Sequence, residues 1–117
     1  MKVLSLKETL ALEKTAIETI GIPRIALMES AGAQTAKVIV RTLGVRGPVL
    51  ILAGKGYNGG DALVVARYLR NQGVPLEILC FSAASDLKKE TRLHCDALQR
   101  LGLSITHITT KSQMKKF

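Results

Sequence analysis

Apolar positions fall along the chain in two rhythms, first at helical spacing and then in short solid runs. Between Ser5 and Gly21, Leu6, Leu10, Ile17 and Ile20 recur at the period of an amphipathic helix. Ser5-Leu6-Lys7-Glu8 has the form of a capping box, and Gly21 suits the residue just past a helix end. Glu13 falls inside the apolar stripe. It either reaches out past the stripe's edge or is a partly buried carboxylate with a specific partner. Ile22-Pro23 restarts the chain, because proline suits a first helical turn. A second helix is predicted from about Arg24 to Leu43, stopped by Gly44, with a patch of small residues from Ser30 to Ala36 that lets another backbone come close.

The rhythm changes at Pro48. Val49-Leu50-Ile51-Leu52-Ala53 is a continuous apolar run bounded by proline and glycine, the pattern of a strand buried on both faces. A glycine-rich segment follows, then a third helix over about Gly60 to Asn71, closed by Gly73. Val74 to Phe81 reads as a second strand, Asp86 to Leu101 as a fourth helix with Leu87, Leu98 and Leu101 on one face, and Leu103 to Ile108 as a third strand. Strands alternating with helices predict an α/β domain with a parallel sheet, preceded by two N-terminal helices. The tail from Thr109 is polar and without periodicity.

Composition narrows this little. The 117 residues make one small domain, 47% hydrophobic, whose core is aliphatic because the aromatics are Tyr57, Tyr68, Phe81 and Phe117. The formal charge of +8 suits an anionic partner such as a nucleotide, RNA or an acidic protein, or is simply a soluble basic surface. Nucleic-acid binding is disfavoured by the shortage of aromatic stacking platforms. Cys80 and Cys95 match no metal spacing and read as buried free thiols of a cytoplasmic protein. The charges of the first fourteen residues leave no signal-peptide h-region, and no run reaches the ~20 apolar residues of a membrane span.

The chemistry sits in Gly54-Lys55-Gly56-Tyr57-Asn58-Gly59-Gly60-Asp61. Formally this is G-x-G-x-x-G after a strand and before a helix, where backbone N–H groups favour a phosphate or pyrophosphate. An ordinary NAD dehydrogenase is disfavoured. Its second strand ends in an acidic residue for the ribose, whereas this one ends Leu79-Cys80-Phe81, and Asp61 would repel a phosphate at the helix start. The Walker A pattern fails as well, because Gly60-Asp61 stands where Lys-Ser/Thr is required. Asn58 and Asp61 can instead accept hydrogen bonds from ribose hydroxyls or offer oxygens to a hard cation. The plainer alternative has Asp61 capping the helix and Asn58 in a left-handed turn.

Tyr57-Asn58-Gly59-Gly60-Asp61 closely resembles the Asn-Asn-Gly-Gly-Asp signature of the NAD(P)H-hydrate epimerases, the YjeF N-terminal domain family. Ile20-Gly21-Ile22-Pro23 and Leu27-Met28-Glu29-Ser30-Ala31-Gly32 resemble two further segments of that family, upstream and in the right order. The resemblance implies a Rossmann-like three-layer αβα domain over residues 1–117. It implies interconversion of the R and S epimers of hydrated NADH and NADPH, a repair of damaged nicotinamide nucleotide. It further implies substrate contacts from Tyr57, Asn58, Gly59, Gly60 and Asp61, with potassium as cofactor and Asn58 as its ligand. The sequence departs from the pattern at Tyr57, Ala62 and Ser30, where the family carries Asn, Gly and Asn. The family's catalytic aspartate and later loops would fall beyond Phe117, so the C-terminal half is expected to be incomplete. The strand at 49–53 is then an exposed edge, inviting a homodimer or a completing chain. A non-catalytic RNA-binding or scaffold relative of the same fold is the alternative.

Overall fold

The structure, a computed structural model, describes residues 3–44 and 47–116. Helix α1 spans Leu6–Thr15 and opens with the predicted box: the Glu8 N–H donates to Ser5 Oγ at 3.1 Å and the Ser5 N–H to Glu8 Oε1 at 3.2 Å. The helix widens into a π turn at Ala16–Ile20 and stops at Gly21, whose φ of +89° is the left-handed conformation glycine adopts freely. The apolar stripe of α1 does not enter the core. None of its residues is buried, and Leu6 and Leu10 remain 76% and 55% exposed. The helix stands across an open groove, which Leu6, Leu10 and Ile17 line.

Helix α2, Arg24–Leu43, has the predicted bounds and packs on α3, Tyr57–Asn71. The small-residue patch explains the contact: a Cβ on Gly32 would run into Val64, so only glycine lets the two helices meet there. Helix α3 begins three residues before the expected Gly60, with extended Gly56 at its N-cap, so Tyr57 to Gly60 form its first turn. Asn58 is therefore helical, and no described non-glycine residue has a positive φ.

Strands β1 (Val49–Ala53), β2 (Leu76–Cys80) and β3 (Ile105–His107) form a parallel sheet in that order, with Ile51 beside Ile78 and Ile78 beside Ile105. Helix α4, Lys89–Arg100, is shorter than expected because a 3₁₀ turn at Ala84–Asp86 precedes it. Ile51, Ala53 and Ile78 share one buried cluster with Leu63, Ala66 and Leu69 of α3 and Cys95 and Leu98 of α4. Cys80 and Cys95 are free and buried, as the sequence suggested. The tail holds a single helical turn, α5 (Lys111–Met114), capped by Thr110 and Gln113 in a box the polar composition concealed.

One expectation fails at β1. Read as buried on both faces, it buries Ile51 and Ala53 but leaves Leu50 and Leu52 55% and 56% exposed. The helices of the core cluster lie on the Ile51 and Ala53 side, and β1 has only β2 as a described neighbour. Among the described residues the helices of the core cluster thus cover one face of β1 and leave its other face bare. Phe117, where the C-terminal half was expected to break off, lies outside the described residues. No described helix is long and apolar enough to cross a membrane.

Candidate functional site

Strand β1 ends at Ala53 and delivers Gly54-Lys55-Gly56 to the start of α3. The glycines of this segment serve two different needs. Gly59 and Gly60 are buried packing residues. A Cβ on Gly59 would strike the Gly54 carbonyl, and one on Gly60 would sit 2.5 Å from Met28 Sδ and 2.9 Å from Thr91 Oγ1. They let the first turn of α3 fold back against the loop. Gly54 and Gly56 are the reverse case, because a Cβ on either would meet nothing within 4 Å. The bare backbone there faces open space, the condition a phosphate at a helix N-terminus needs.

The loop is fastened from α4's side. The fully buried Thr91 hydroxyl donates to the Gly56 carbonyl at 2.9 Å, and the Lys88 N–H donates to the Lys55 carbonyl at 3.2 Å. Both bonds fix the backbone while leaving its other side free. Neither residue carries a sequence signal; Thr91 looks like any helical threonine until α4 docks.

Beside the loop opens a cavity of about 650 Å³ between α1, the π turn, α2 and α3. Tyr57, Asn58 and Asp61 line it from the first turn of α3, Arg24 and Met28 from α2, and Glu13 from α1. Of the predicted site residues, the structure therefore gathers Tyr57, Asn58 and Asp61 on one wall. Gly59 and Gly60 lie behind them as packing. Glu13 is exposed, as the outward reading held, yet it faces the cavity, and its neighbour is a like charge. Burial pushes the Asp61 carboxyl above its ordinary range and the Glu13 carboxylate pushes it further, so Asp61 holds a proton more readily than a free aspartate. Tyr57 is flanked by cations, with the Arg24 guanidinium 4.0 Å from its ring centroid and Lys88 Nζ at 5.7 Å.

A second polar cluster joins α2 to α3. Glu29 accepts from the Arg67 guanidinium and, at 2.6 Å, from the Tyr68 hydroxyl. Burial pushes its carboxyl up, but the two hydrogen bonds and the Arg67 charge outweigh that and hold it below the ordinary range. Beneath it His94 is buried with Nε2 unpartnered, and burial pushes its pKa down. This cluster lies outside the residues lining the cavity and serves to lock α2 on α3. Among the described residues no group of three or more His, Cys, Asp or Glu side chains could hold a metal ion.

A parallel α/β sheet whose first strand ends in a bare glycine loop beside a cavity defines a Rossmann-like domain. Comparison with known proteins makes this specific. Residues 24–117 match the family described as YjeF-related protein N-terminus, and the chain belongs to that family. It is 36% identical over 94 residues to the NAD(P)H-hydrate epimerase of Rhodopirellula baltica, covering 80% of this chain and 38% of the relative. It is 40% identical over 91 residues to a bifunctional NAD(P)H-hydrate repair enzyme of Gloeobacter violaceus, covering 76% of this chain and 18% of that protein. The crystal structure of yeast ynu0 superposes with a TM-score of 0.83 at 26% identity, over 98% of this chain and 51% of that one. The chain thus spans 38% and 18% of the length of these two curated relatives.

Proposed function

We propose that this chain is the nucleotide-holding part of an NAD(P)H-hydrate epimerase, interconverting the R and S epimers of hydrated NADH or NADPH. The observation that carries this reading is the open backbone of Gly54 and Gly56 beside a cavity walled by Tyr57, Asn58 and Asp61. The relatives carry repair-enzyme names, which favours this reading over RNA binding or scaffolding. The loop amides take the negatively charged pyrophosphate, and Asn58 and Asp61 take the ribose hydroxyls or a cation. Potassium fits the oxygen donors of Asn58 and Asp61. These two side chains alone fall short of a full hard-cation shell, so the remaining oxygens come from ligand, water or polypeptide outside residues 1–117.

The chemistry needs a proton delivered to the hydroxyl at the hydrated ring carbon, departure of water and its return to either face. We assign Asp61 to orienting the substrate and not to proton delivery, which falls to a residue outside this chain segment. The free edge of β1 fits the same picture. A further strand pairs there and supplies the second wall of the ligand crevice, either from a completing chain or from a second copy. The buried free thiols suit a reducing, cytoplasmic setting.

The test is conversion of purified R-hydrate of NADPH to the S epimer, followed by chromatography. Residues 1–117 alone are expected to convert it slowly or not at all. Co-expression with the part of the R. baltica epimerase beyond the matched residues should raise the rate. Absence of both dinucleotide binding and conversion in either preparation overturns the reading.

A further inference from the structure

Tyr57 stands where the resembled signature has an asparagine, and two cations flank its ring. Arg24, the first residue of α2, stacks its guanidinium over the Tyr57 ring at 4.0 Å. Lys88, at the N-cap of α4, places Nζ 5.7 Å from the same centroid. These residues come from separate elements, so local sequence does not bring them together. Lys88 is tied to the loop by its N–H on the Lys55 carbonyl at 3.2 Å, which sets its side chain at the loop's rim. Arg24 lines the cavity on the other side. Tyr57 is itself 39% exposed and has no core role.

We propose that Tyr57 is a positioning residue that holds Arg24 and Lys88 as a two-cation clamp over the glycine loop. The pyrophosphate is then gripped by side chains as well as by backbone amides. The inference rests on the dinucleotide reading of the loop but assigns a device that the glycine signature does not contain. The physics is charge matching and pre-organisation. A pyrophosphate bridge carries two negative charges, and a guanidinium stacked on a ring has fewer rotamers to lose on binding than a free one. Arginine suits the role because its planar fork stacks on the ring while its edge donors remain available to phosphate oxygens.

The test uses ADP-ribose, which has the pyrophosphate but no nicotinamide, titrated calorimetrically into residues 1–117 at two salt concentrations. Arg24→Ala is expected to weaken binding about tenfold or more, the range for a charge-assisted contact, and to lower the slope of log affinity against log salt. Tyr57→Phe should bind as the unsubstituted chain does. Tyr57→Leu should bind like Arg24→Ala, and the double variant no worse than either alone. Tyr57 is exposed and outside the core, and a thermal melt of each variant checks that the fold is kept. Equal affinity of Arg24→Ala and the unsubstituted chain, or no ADP-ribose binding by the latter, overturns the clamp. R-to-S conversion that survives Arg24→Ala with unchanged KM would leave the epimerase reading standing and sink the clamp. Arg24-dependent ADP-ribose binding without any epimerisation, in the presence of a completing polypeptide, would do the opposite.

Discussion

At the scale of single residues, two carboxylates in this chain are pushed in opposite directions, and pH separates them. Asp61 has a folded pKa above its unfolded value, raised by burial and by Glu13. Its ionisation therefore costs stability in full above the folded value, and the cost fades as pH falls towards the ordinary aspartate range. Glu13→Gln should lower the Asp61 midpoint in a carboxyl NMR titration and raise the melting temperature at neutral pH. An unchanged midpoint would show that the two groups do not sense each other. Glu29 has the contrary sign, because its net shift is downward. It stabilises the fold above the ordinary glutamate range and loses that contribution as pH falls through its lowered value. Glu29→Gln is expected to cost about 1 kcal/mol at pH 7, kept small because the pair is partly solvated, and nothing at a pH where both forms are neutral. Urea titrations at the two pH values would show it.

At the scale of elements, most of the fold was legible because each boundary has a local chemical cause. Ser5 and Glu8 start α1, Gly21, Gly44 and Gly73 stop helices, and β1 is a solid apolar run. What was not legible depended on partners distant in sequence. The start of α3 moved to Tyr57 because Gly59 and Gly60 pack against Gly54, Met28 and Thr91, contacts invisible in a one-dimensional pattern. Tyr57, Asn58 and Asp61, singled out in the sequence, line the cavity, whereas Arg24, Thr91 and Lys88 carry no local signal, since α2 and the N-terminal end of α4 bring them to the loop and its cavity from far along the chain. Thr91 supplies a direct test. Thr91→Val keeps the shape but removes one of the two donors to the Gly56 carbonyl, the other being the Gly60 N–H, at a cost of about 0.5–1.5 kcal/mol, whereas Thr91→Ser should retain the bond. Gly54→Ala offers the complementary case. Its Cβ meets open space, so the melting temperature should hold while ADP-ribose affinity falls. Equal affinity in that variant would mean that the ligand does not approach the loop there.

At the scale of the whole molecule, the described residues form a three-stranded sheet whose first strand has one free edge and one bare apolar face. Leu50 and Leu52 mark the bare side of β1, and their exposure makes Leu52→Lys nearly neutral for the stability of residues 1–117, within about 0.5 kcal/mol. The same change should prevent a completing polypeptide from associating, which size-exclusion chromatography of the co-expressed pair would report. The five-residue strand β1 also leads directly into the glycine loop, so the free edge and the proposed phosphate cradle share one strand. Whatever straightens and orders that strand also orders the amides at its tip. By thermodynamic reciprocity the two events must then favour each other by the same factor: a nucleotide seated in the cradle would recruit the neighbouring strand, and the neighbouring strand would tighten the hold on the nucleotide.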